Sequence, residues 1–188
     1  MTIKLNIIIG STRPGRVAPI LAKWIAARAR GHDAFEVELV DLMDFNLPLL
    51  DEESHPRLQN YQNEPTKRWS ASVASADAYV FVTPEYDYFP PAALVNAIQV
   101  VLKEWAYKPA GVMSFGGVSA GLRGAQGLRQ LLGNVNVHAL PQSVPVPFFP
   151  QFIADGVFTP NAQMEEGADL MLGELAKWAR ALKPLRAA

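Results

Sequence analysis

The chain has 188 residues, with 17 Lys and Arg against 18 Asp and Glu, and it contains no Cys. Hydrophobic residues make up 49% and charged residues 19%, which excludes a disordered chain and suits one folded domain over residues 1–188. The net charge of −1 provides no basic surface for nucleic acid, and the lack of Cys excludes disulfides and cysteine-ligated metal sites. We therefore expect a cytoplasmic enzyme or binding domain.

Short apolar strands alternate with amphipathic helices along the chain. Ile3 to Ile9 predicts a buried strand that stops at Gly10, and apolar residues from Val17 to Ile25 then recur at helical spacing. Further strands are predicted at 37–40, 78–82, 111–115 and 135–140, and further helices at 69–76, 94–105, 122–132 and 164–182. This repeated alternation favours an α/β fold with a mostly parallel sheet.

Two long segments interrupt the alternation, at 44–65 and 139–160, and both are rich in proline. Loops of this length in a compact domain usually serve function or assembly, although either segment is equally well read as a solvated connection. The three His are too scattered for a metal site, and no apolar run approaches the roughly 20 residues that cross a bilayer. We therefore expect neither a metal nor a membrane partner.

The loop between the first strand and the first helix has the composition of a phosphate-binding site. Residues 10–16 offer the hydroxyls of Ser11 and Thr12, the charges of Arg13 and Arg16, and the free N–H groups of a helix N-terminus. The two glycines imitate the spacing of a triphosphate-binding loop, but an Arg-Val pair stands where Lys and Ser or Thr are required. The alternative is that Ser11 only caps the helix and the arginines are solvated.

The loop after the third strand, residues 84–91, combines prolines with aromatic residues and two carboxylates. A stiff, partly apolar loop of this kind suits stacking beside a flat ring. Glu85 and Asp87 are candidates for acid–base chemistry, but Asp87 also suits a turn that it fixes through its own backbone. We favour the turn.

The loop after the fourth strand matches a hydrolase motif in part. Gly117 to Gly121 reads G-x-S-x-G between a strand and a helix, which is the pattern around the serine nucleophile of α/β-hydrolases. His138 is the only His after Ser119, and no Asp or Glu lies between the two, so the expected order of catalytic partners fails. The glycines instead favour backbone amides that approach a flat polar ligand closely.

Together these loops resemble those of the NADPH-dependent FMN reductases. The resemblance rests, in this order along the chain, on Gly10-Ser11-Thr12-Arg13, Pro84-Glu85-Tyr86, Ala93 to Ile98, and Phe115-Gly116-Gly117-Val118-Ser119. It extends from about Ile3 to Leu182. It implies a flavodoxin-like three-layer sandwich with a five-stranded parallel sheet of order 2-1-3-4-5. It also implies bound FMN, NADPH or NADH as reductant, a small-molecule electron acceptor such as a flavin or quinone, and a homodimer or homotetramer.

The same resemblance assigns residues to the cofactor, and no catalytic side chain is required of the protein. The phosphate would be held by Ser11, Thr12, Arg13, Arg16, Val17 and Ala18. The ring would be bordered by Pro84, Glu85, Tyr86 and Asp87 on one side and by Gly116, Gly117 and Ser119 on the other. Two other functions stay open: a flavodoxin-type electron carrier, which the net charge disfavours, and a serine hydrolase that uses Ser119.

Overall fold

Five segments rich in β-branched and aromatic residues form one parallel sheet in the computed structural model, which describes residues 2–187. The strands are β1 (Ile3–Ile9), β2 (Phe35–Asp41), β3 (Ala78–Pro84), β4 (Lys108–Phe115) and β5 (Val137–Val146). They are arranged in the order β2-β1-β3-β4-β5, and every neighbouring pair is parallel. The strand order that the family resemblance implies is confirmed.

Helices cover both faces of this sheet. They are α1 (Ala18–Arg30), α2 (Leu42–Phe45), α3 (Glu64–Ser75), α4 (Ala92–Gln99), α5 (Leu122–Asn134) and α6 (Ala162–Leu182). Short 3₁₀ turns lie at Pro56–Leu58, Lys103–Trp105, Phe149–Phe152 and Lys183–Ala187, and a small hairpin joins Ile153–Ala154 to Val157–Phe158. One apolar core lies between the sheet and α1 with α6, and the other lies between the sheet and α3, α4 and α5. The predicted three-layer sandwich is therefore confirmed.

Aromatic side chains fill the second core. The rings of Trp69, Tyr79, Phe81 and Trp105 are fully buried and meet edge to face or tilted. Each polar edge has a partner: the Trp69 indole N–H donates to the carbonyl of Ala97 at 2.6 Å, and the Tyr79 hydroxyl donates to that of Val73 at 2.8 Å. These bonds allow the amphipathic rings to be buried without an unpaired polar group.

The largest differences from the sequence-based prediction concern three element boundaries. Helix α4 ends at Gln99 rather than near Trp105, since the buried Glu104 carboxylate accepts the Leu102 amide at 3.1 Å and holds the chain in a separate turn. Helix α3 starts inside the predicted 44–65 loop, and its Pro65 is tolerated in the first turn.

Strand β5 continues to Val146, into the predicted 139–160 loop, although it contains Pro141 and Pro145. It is an edge strand, and an edge strand accepts proline on the side that has no partner.

The strand order places the candidate loops at one edge. From β1 the chain passes to β2, which neighbours β1 on one side, and then crosses back to β3, which neighbours β1 on the other side. This reversal creates a crevice beyond the carboxyl ends of the strands. Ile9 is paired with Val82, and Pro84 with Phe115, so β1, β3 and β4 end side by side. The loops that follow these strands therefore meet.

Candidate cofactor site

A cavity of about 330 Å³ lies where the three loops meet. This volume falls in the usual range for small-molecule sites, about 300–1,000 Å³. One end is polar and cationic, and the other is aromatic. The cavity is lined by Ser11, Arg13, Gly15, Arg16, Val17, Pro84, Glu85, Tyr86, Phe115, Gly116, Gly117 and Phe149.

The polar end is built around the N-terminus of α1. No acidic residue lies in the first turn of the helix, and Val17 at the cap position makes no side-chain capping bond. Within residues 2–187, the amides of Val17 and Ala18 have no protein acceptor, and the exposed Arg13 has no ion-pair partner. Free amides, a helix dipole and an unpaired guanidinium together favour an anion such as phosphate.

Arg16 is engaged differently from Arg13. Its Nη1 and Nη2 donate to the two carboxylate oxygens of Asp41, both at 2.6 Å, and Nη1 also donates to the carbonyl of Ser11 at 2.7 Å. The bonds to Asp41 raise the pKa of Arg16 above its ordinary value. Arg16 therefore ties the phosphate loop to the end of β2, and Asp41 balances part of its charge.

A hydrogen bond between side chains joins the first loop to the second. The hydroxyl of Ser11, which is fully buried, lies 2.8 Å from the hydroxyl of Tyr86. The Arg13 amide lies 3.4 Å from the same Ser11 oxygen. Ser11 thus links the two loops and also supports the backbone of the phosphate loop, beyond the simple helix cap considered from the sequence.

The second loop forms a tight turn at its exposed tip. Tyr86 and Phe89 exchange backbone hydrogen bonds of 2.9 and 3.0 Å, which leaves Asp87 and Tyr88 as the two central residues. Both have positive φ, 48° and 74°, a conformation that favours Gly or Asn. The interpretation of Asp87 as a turn residue agrees with this position.

The carboxylate of Glu85 is directed to the start of α5. It accepts hydrogen bonds from the Ser119 hydroxyl and from the amides of Arg123 and Gly124, and it forms an ion pair with the Arg123 side chain. Glu85 lines the cavity, but its carboxylate oxygens are already occupied by these neighbouring groups.

The aromatic end of the cavity is formed by β4 and the chain after β5. Phe115 meets Phe149 edge to face, with ring centroids 5.2 Å apart. The amides of Phe148 and Phe149 donate to the carbonyls of Gly117 and Gly116, which holds the third loop against the chain that follows β5. A flat ring can pack here against aromatic faces on one side and peptide groups on the other.

The glycine of the third loop that permits this path is Gly121. It has φ of +75°, and a Cβ there would lie 2.7 Å from the carbonyl oxygen and 2.8 Å from the nitrogen of Phe115. Neither the conformation nor the space accepts a side chain. The second glycine of the G-x-S-x-G pattern therefore has a steric reason that is independent of a nucleophile.

No histidine among residues 2–187 contacts Ser119, whose hydroxyl donates to Glu85. His138 lies near the start of β5 and stacks on Trp178 with centroids 3.9 Å apart. The strand from there to Val146 extends roughly 25 Å, at about 3.3 Å per residue, before it reaches the edge that holds Ser119. The geometry does not support the hydrolase alternative.

Comparison with known proteins identifies the family. A family model described as NADPH-dependent FMN reductase matches residues 3–151. The chain belongs to this family. The NAD(P)H-dependent FMN reductase C4B3.06c of Schizosaccharomyces pombe is 34% identical over 94% of this chain and 87% of its own length. An NADPH azoreductase of a Bacillus species is 28% identical over 93% of this chain and 89% of its own.

A solved structure supports the fold. FerB, a flavoenzyme NAD(P)H:(acceptor) oxidoreductase of Paracoccus denitrificans, superimposes with a TM-score of 0.72 at 20% identity, covering 96% of this chain and 99% of that chain. The predicted family and flavodoxin-like fold are confirmed. So are the oxidoreductase class and the use of FMN and NAD(P)H that characterise the FMN reductases.

Most residues that the family resemblance assigns to FMN lie together in the structure. Those that line the cavity are Ser11, Arg13, Arg16, Val17, Pro84, Glu85, Tyr86, Gly116 and Gly117. Ala18, Asp87 and Ser119 lie next to lining residues but do not line it. Thr12 lines a neighbouring cavity of about 250 Å³. Sequence reasoning missed Phe149, which lies in a segment read as a loop; its signal was the aromatic pair between Pro147 and Pro150.

Among residues 2–187, no group of three or more His, Cys, Asp or Glu side chains is placed to hold a metal ion. No helix in the same part of the chain is both long enough and apolar enough to cross a membrane.

Proposed function

We propose that this chain is an FMN-dependent NAD(P)H oxidoreductase that transfers electrons to a flavin, a quinone or a similar small acceptor. The observation that carries the proposal is the two-ended cavity on a fold of the FMN reductase family. Its cationic end suits a phosphate, and its aromatic end suits a flat ring. FMN has both groups in one molecule.

The phosphate of FMN would lie at the N-terminus of α1. Arg13 and the amides of Val17 and Ala18 would contact it, with the hydroxyls of Ser11 and Thr12 beside it. Arg16 would act mainly by holding the loop, because two of its nitrogens already bond Asp41. This arrangement favours FMN over riboflavin, which has no phosphate to bind.

The ring would lie between the second and third loops. Pro84, Glu85, Tyr86 and Asp87 would border one side of it. Gly116, Gly117 and Ser119 would border the other, and Phe149 would close the aromatic end. The peptide groups of these residues offer hydrogen bonds in fixed positions, which orient the ring without a charged side chain beneath it.

The chemistry belongs to the cofactor: when bound, FMN accepts a hydride from NAD(P)H and later gives the electrons to the acceptor. The residues of the chain position the ring, exclude water from one side of it and hold the phosphate. No side chain of the cavity is required as an acid or base. Glu85 in particular has its carboxylate oxygens occupied by neighbouring donors.

We also propose a homodimer or homotetramer that forms around the mouth of the cavity. The loops that border the cavity expose apolar side chains to an unusual degree: Tyr88 is 61% exposed, Phe89 67% and Val118 80%. Exposed apolar surface of this kind favours a protein interface. Size-exclusion chromatography with light scattering tests it, and a monomer at micromolar concentration contradicts it. A cytoplasmic location stays a prediction.

The experiment that tests the proposed function is an absorbance spectrum of the purified protein before and after anaerobic NADPH. A flavin spectrum that bleaches within seconds supports the oxidoreductase. A flavin spectrum that NADPH and NADH leave unchanged indicates the electron carrier instead. Removal of the phosphate-binding charge at Arg13 should reduce FMN content, which distinguishes specific binding from flavin carried through purification.

A further inference from the structure

We infer that Glu85 is a positioning residue, which fixes the spacing between the loop after β3 and the start of α5 and thereby the width of the cleft for the FMN ring. This inference rests on the proposed function, because the cleft is assigned to FMN there. The carboxylate would act through the backbone that it holds and would not exchange protons with a substrate.

The carboxylate is surrounded entirely by donors. Oε1 accepts from the Ser119 hydroxyl at 3.1 Å and forms an ion pair with Arg123, whose Nε lies 2.9 Å away. Oε2 accepts from the backbone amides of Arg123 at 3.0 Å and Gly124 at 3.2 Å. The Glu85 side chain is only 8% exposed. Three hydrogen-bond donors and a guanidinium around one side chain favour an acceptor-only group, which a carboxylate is and an amide is not.

Two of these donors, the amides of Arg123 and Gly124, belong to the first turn of α5, where they lack partners within the helix. A carboxylate at this end also interacts favourably with the helix dipole. Glu85 therefore caps α5 from a different loop, about 35 residues earlier in the chain, and so joins the two elements.

A glycine provides independent evidence for the same close contact. A Cβ at Gly124 would lie 3.1 Å from the carbonyl oxygen of Phe89 and 3.4 Å from the Cα of Glu85. The backbone of α5 thus packs directly on the backbone of the second loop, with no side chain between them. Even one added methyl group would require the loop or the helix to shift by a few tenths of an ångström.

The ion pair also covers the strained turn at the tip of this loop. The Arg123 guanidinium, which bonds Glu85, lies 3.9 Å from the centroid of the Tyr88 ring. Tyr88 and Asp87 both have positive φ, and such backbone persists only where the surroundings hold it. Glu85, Arg123 and Tyr88 therefore form one unit at the edge of the cleft.

The consequence concerns rate rather than proton transfer. Pro84, Glu85 and Tyr86 of the second loop and Gly116 and Gly117 of the third loop all line the cavity. Hydride transfer needs reacting atoms about 3–3.5 Å apart, and a misplacement of about 1 Å costs on the order of a hundredfold in rate. A change in the spacing of these loops should therefore slow flavin reduction without changing its pH dependence.

The test compares Glu85→Gln with Glu174→Gln, the same chemical change at an exposed ion pair on α6. A second variant, Gly124→Ala, disturbs the spacing but keeps the carboxylate. Three quantities are measured: hydrogen exchange of the Arg123 and Gly124 amides without cofactor, FMN affinity by fluorescence titration, and the limiting rate of flavin reduction by NADPH across pH.

For Glu85→Gln we expect exchange at both amides to speed up at least tenfold, FMN to bind more weakly, and the limiting rate to fall at least tenfold. The shape of its pH profile should stay that of the wild type. Gly124→Ala should also slow reduction, and Glu174→Gln should match the wild type in all three quantities. If Glu85→Gln does not fold, the reduction rate and FMN affinity of Gly124→Ala decide whether the spacing of the two loops controls flavin reduction.

Three results would overturn the inference. Loss of one limb of the pH profile in Glu85→Gln assigns an acid–base role. Faster amide exchange with unchanged FMN affinity and reduction rate assigns Glu85 a merely structural role. Unchanged amide exchange would show that the Glu85 carboxylate does not bond these amides in solution. If wild-type flavin is not reduced by NADPH, the proposed function fails, while exchange and FMN affinity still decide the role of Glu85.

Discussion

Replacement of Arg13 by Ala tests the phosphate assignment most selectively. Arg13 lines the cationic end of the cavity, is exposed, and has no ion-pair partner within residues 2–187. Its removal therefore breaks no ion pair of the described chain. Arg16→Ala would be less clear, because it would also leave Asp41 unpaired and release the carbonyl of Ser11.

The expected magnitude follows from the exposure of Arg13. A hydrogen bond to a charged group is worth about 1.5–3 kcal/mol. Solvent screening places an exposed guanidinium in the lower part of this range, about 1.5–2 kcal/mol. This corresponds to a loss of FMN affinity of about 10- to 30-fold. The phosphate carries roughly −1.5 to −2 charges at neutral pH, so the loss should shrink as salt is added.

The assay is a fluorescence titration of cofactor-free protein with FMN and with riboflavin, at low and high salt. Arg30→Ala serves as the control, because Arg30 is an exposed residue at the far end of α1 from the phosphate loop and its removal changes the net charge equally. Arg13→Ala should weaken FMN and leave riboflavin unchanged, and Arg30→Ala should affect neither. Equal losses for FMN and riboflavin would refute the phosphate assignment.

Three further changes have defined outcomes. Ser119→Ala should keep most of the reductase activity, because Glu85 retains its other donors, and wild-type protein should show no labelling by a fluorophosphonate. Burial lowers the pKa of Lys108 to about 7. Between pH 7 and 10.5 the unfolded state therefore binds more protons, and the free energy of unfolding should rise with pH by up to about 1.4 kcal/mol per unit. Lys108→Met should flatten this rise in urea titrations. Gly121→Ala should lower the free energy of unfolding by at least about 2 kcal/mol, because it combines positive φ with a backbone clash.

Each of these outcomes has a clear opposite. Covalent labelling of Ser119 would restore the hydrolase alternative. Equal slopes of unfolding free energy against pH for Lys108→Met and the wild type would show that Lys108 is not the group that titrates in this range. An unchanged denaturation midpoint for Gly121→Ala would mean that the third loop has more room than the contacts with Phe115 indicate.

Local patterns in the sequence predict the sheet and the three loops well. Continuous apolar runs mark the buried central strands, such as 78–82, and glycine, proline and hydroxyl residues mark where the strands end. Since the carboxyl ends of parallel strands share one edge of the sheet, the residues that end the strands also predict that the loops meet. The position of the site thus follows from periodicity and chain direction.

Contacts between distant segments could not be predicted in the same way. Arg16 bonds Asp41 across 25 residues and Glu85 bonds the start of α5 across about 35, and no spacing in the sequence signals such partners. Proline in β5 was misread because its tolerance depends on an edge position, which only the assembled sheet defines. Phe149 was missed because its contact with Phe115 also exists only once the sheet is assembled.

The most direct measurement is anaerobic stopped flow. The FMN-loaded protein is mixed with NADPH, flavin absorbance is followed, and a quinone is then added. Nicotinamide and acceptor need the same ring face, so the flavin should bleach first and recover only when the quinone arrives, with parallel double-reciprocal lines in the steady state. Intersecting lines, or acceptor reduction that requires NADPH to stay bound, would contradict the shared cleft. A flavin that NADPH does not bleach would contradict the oxidoreductase itself.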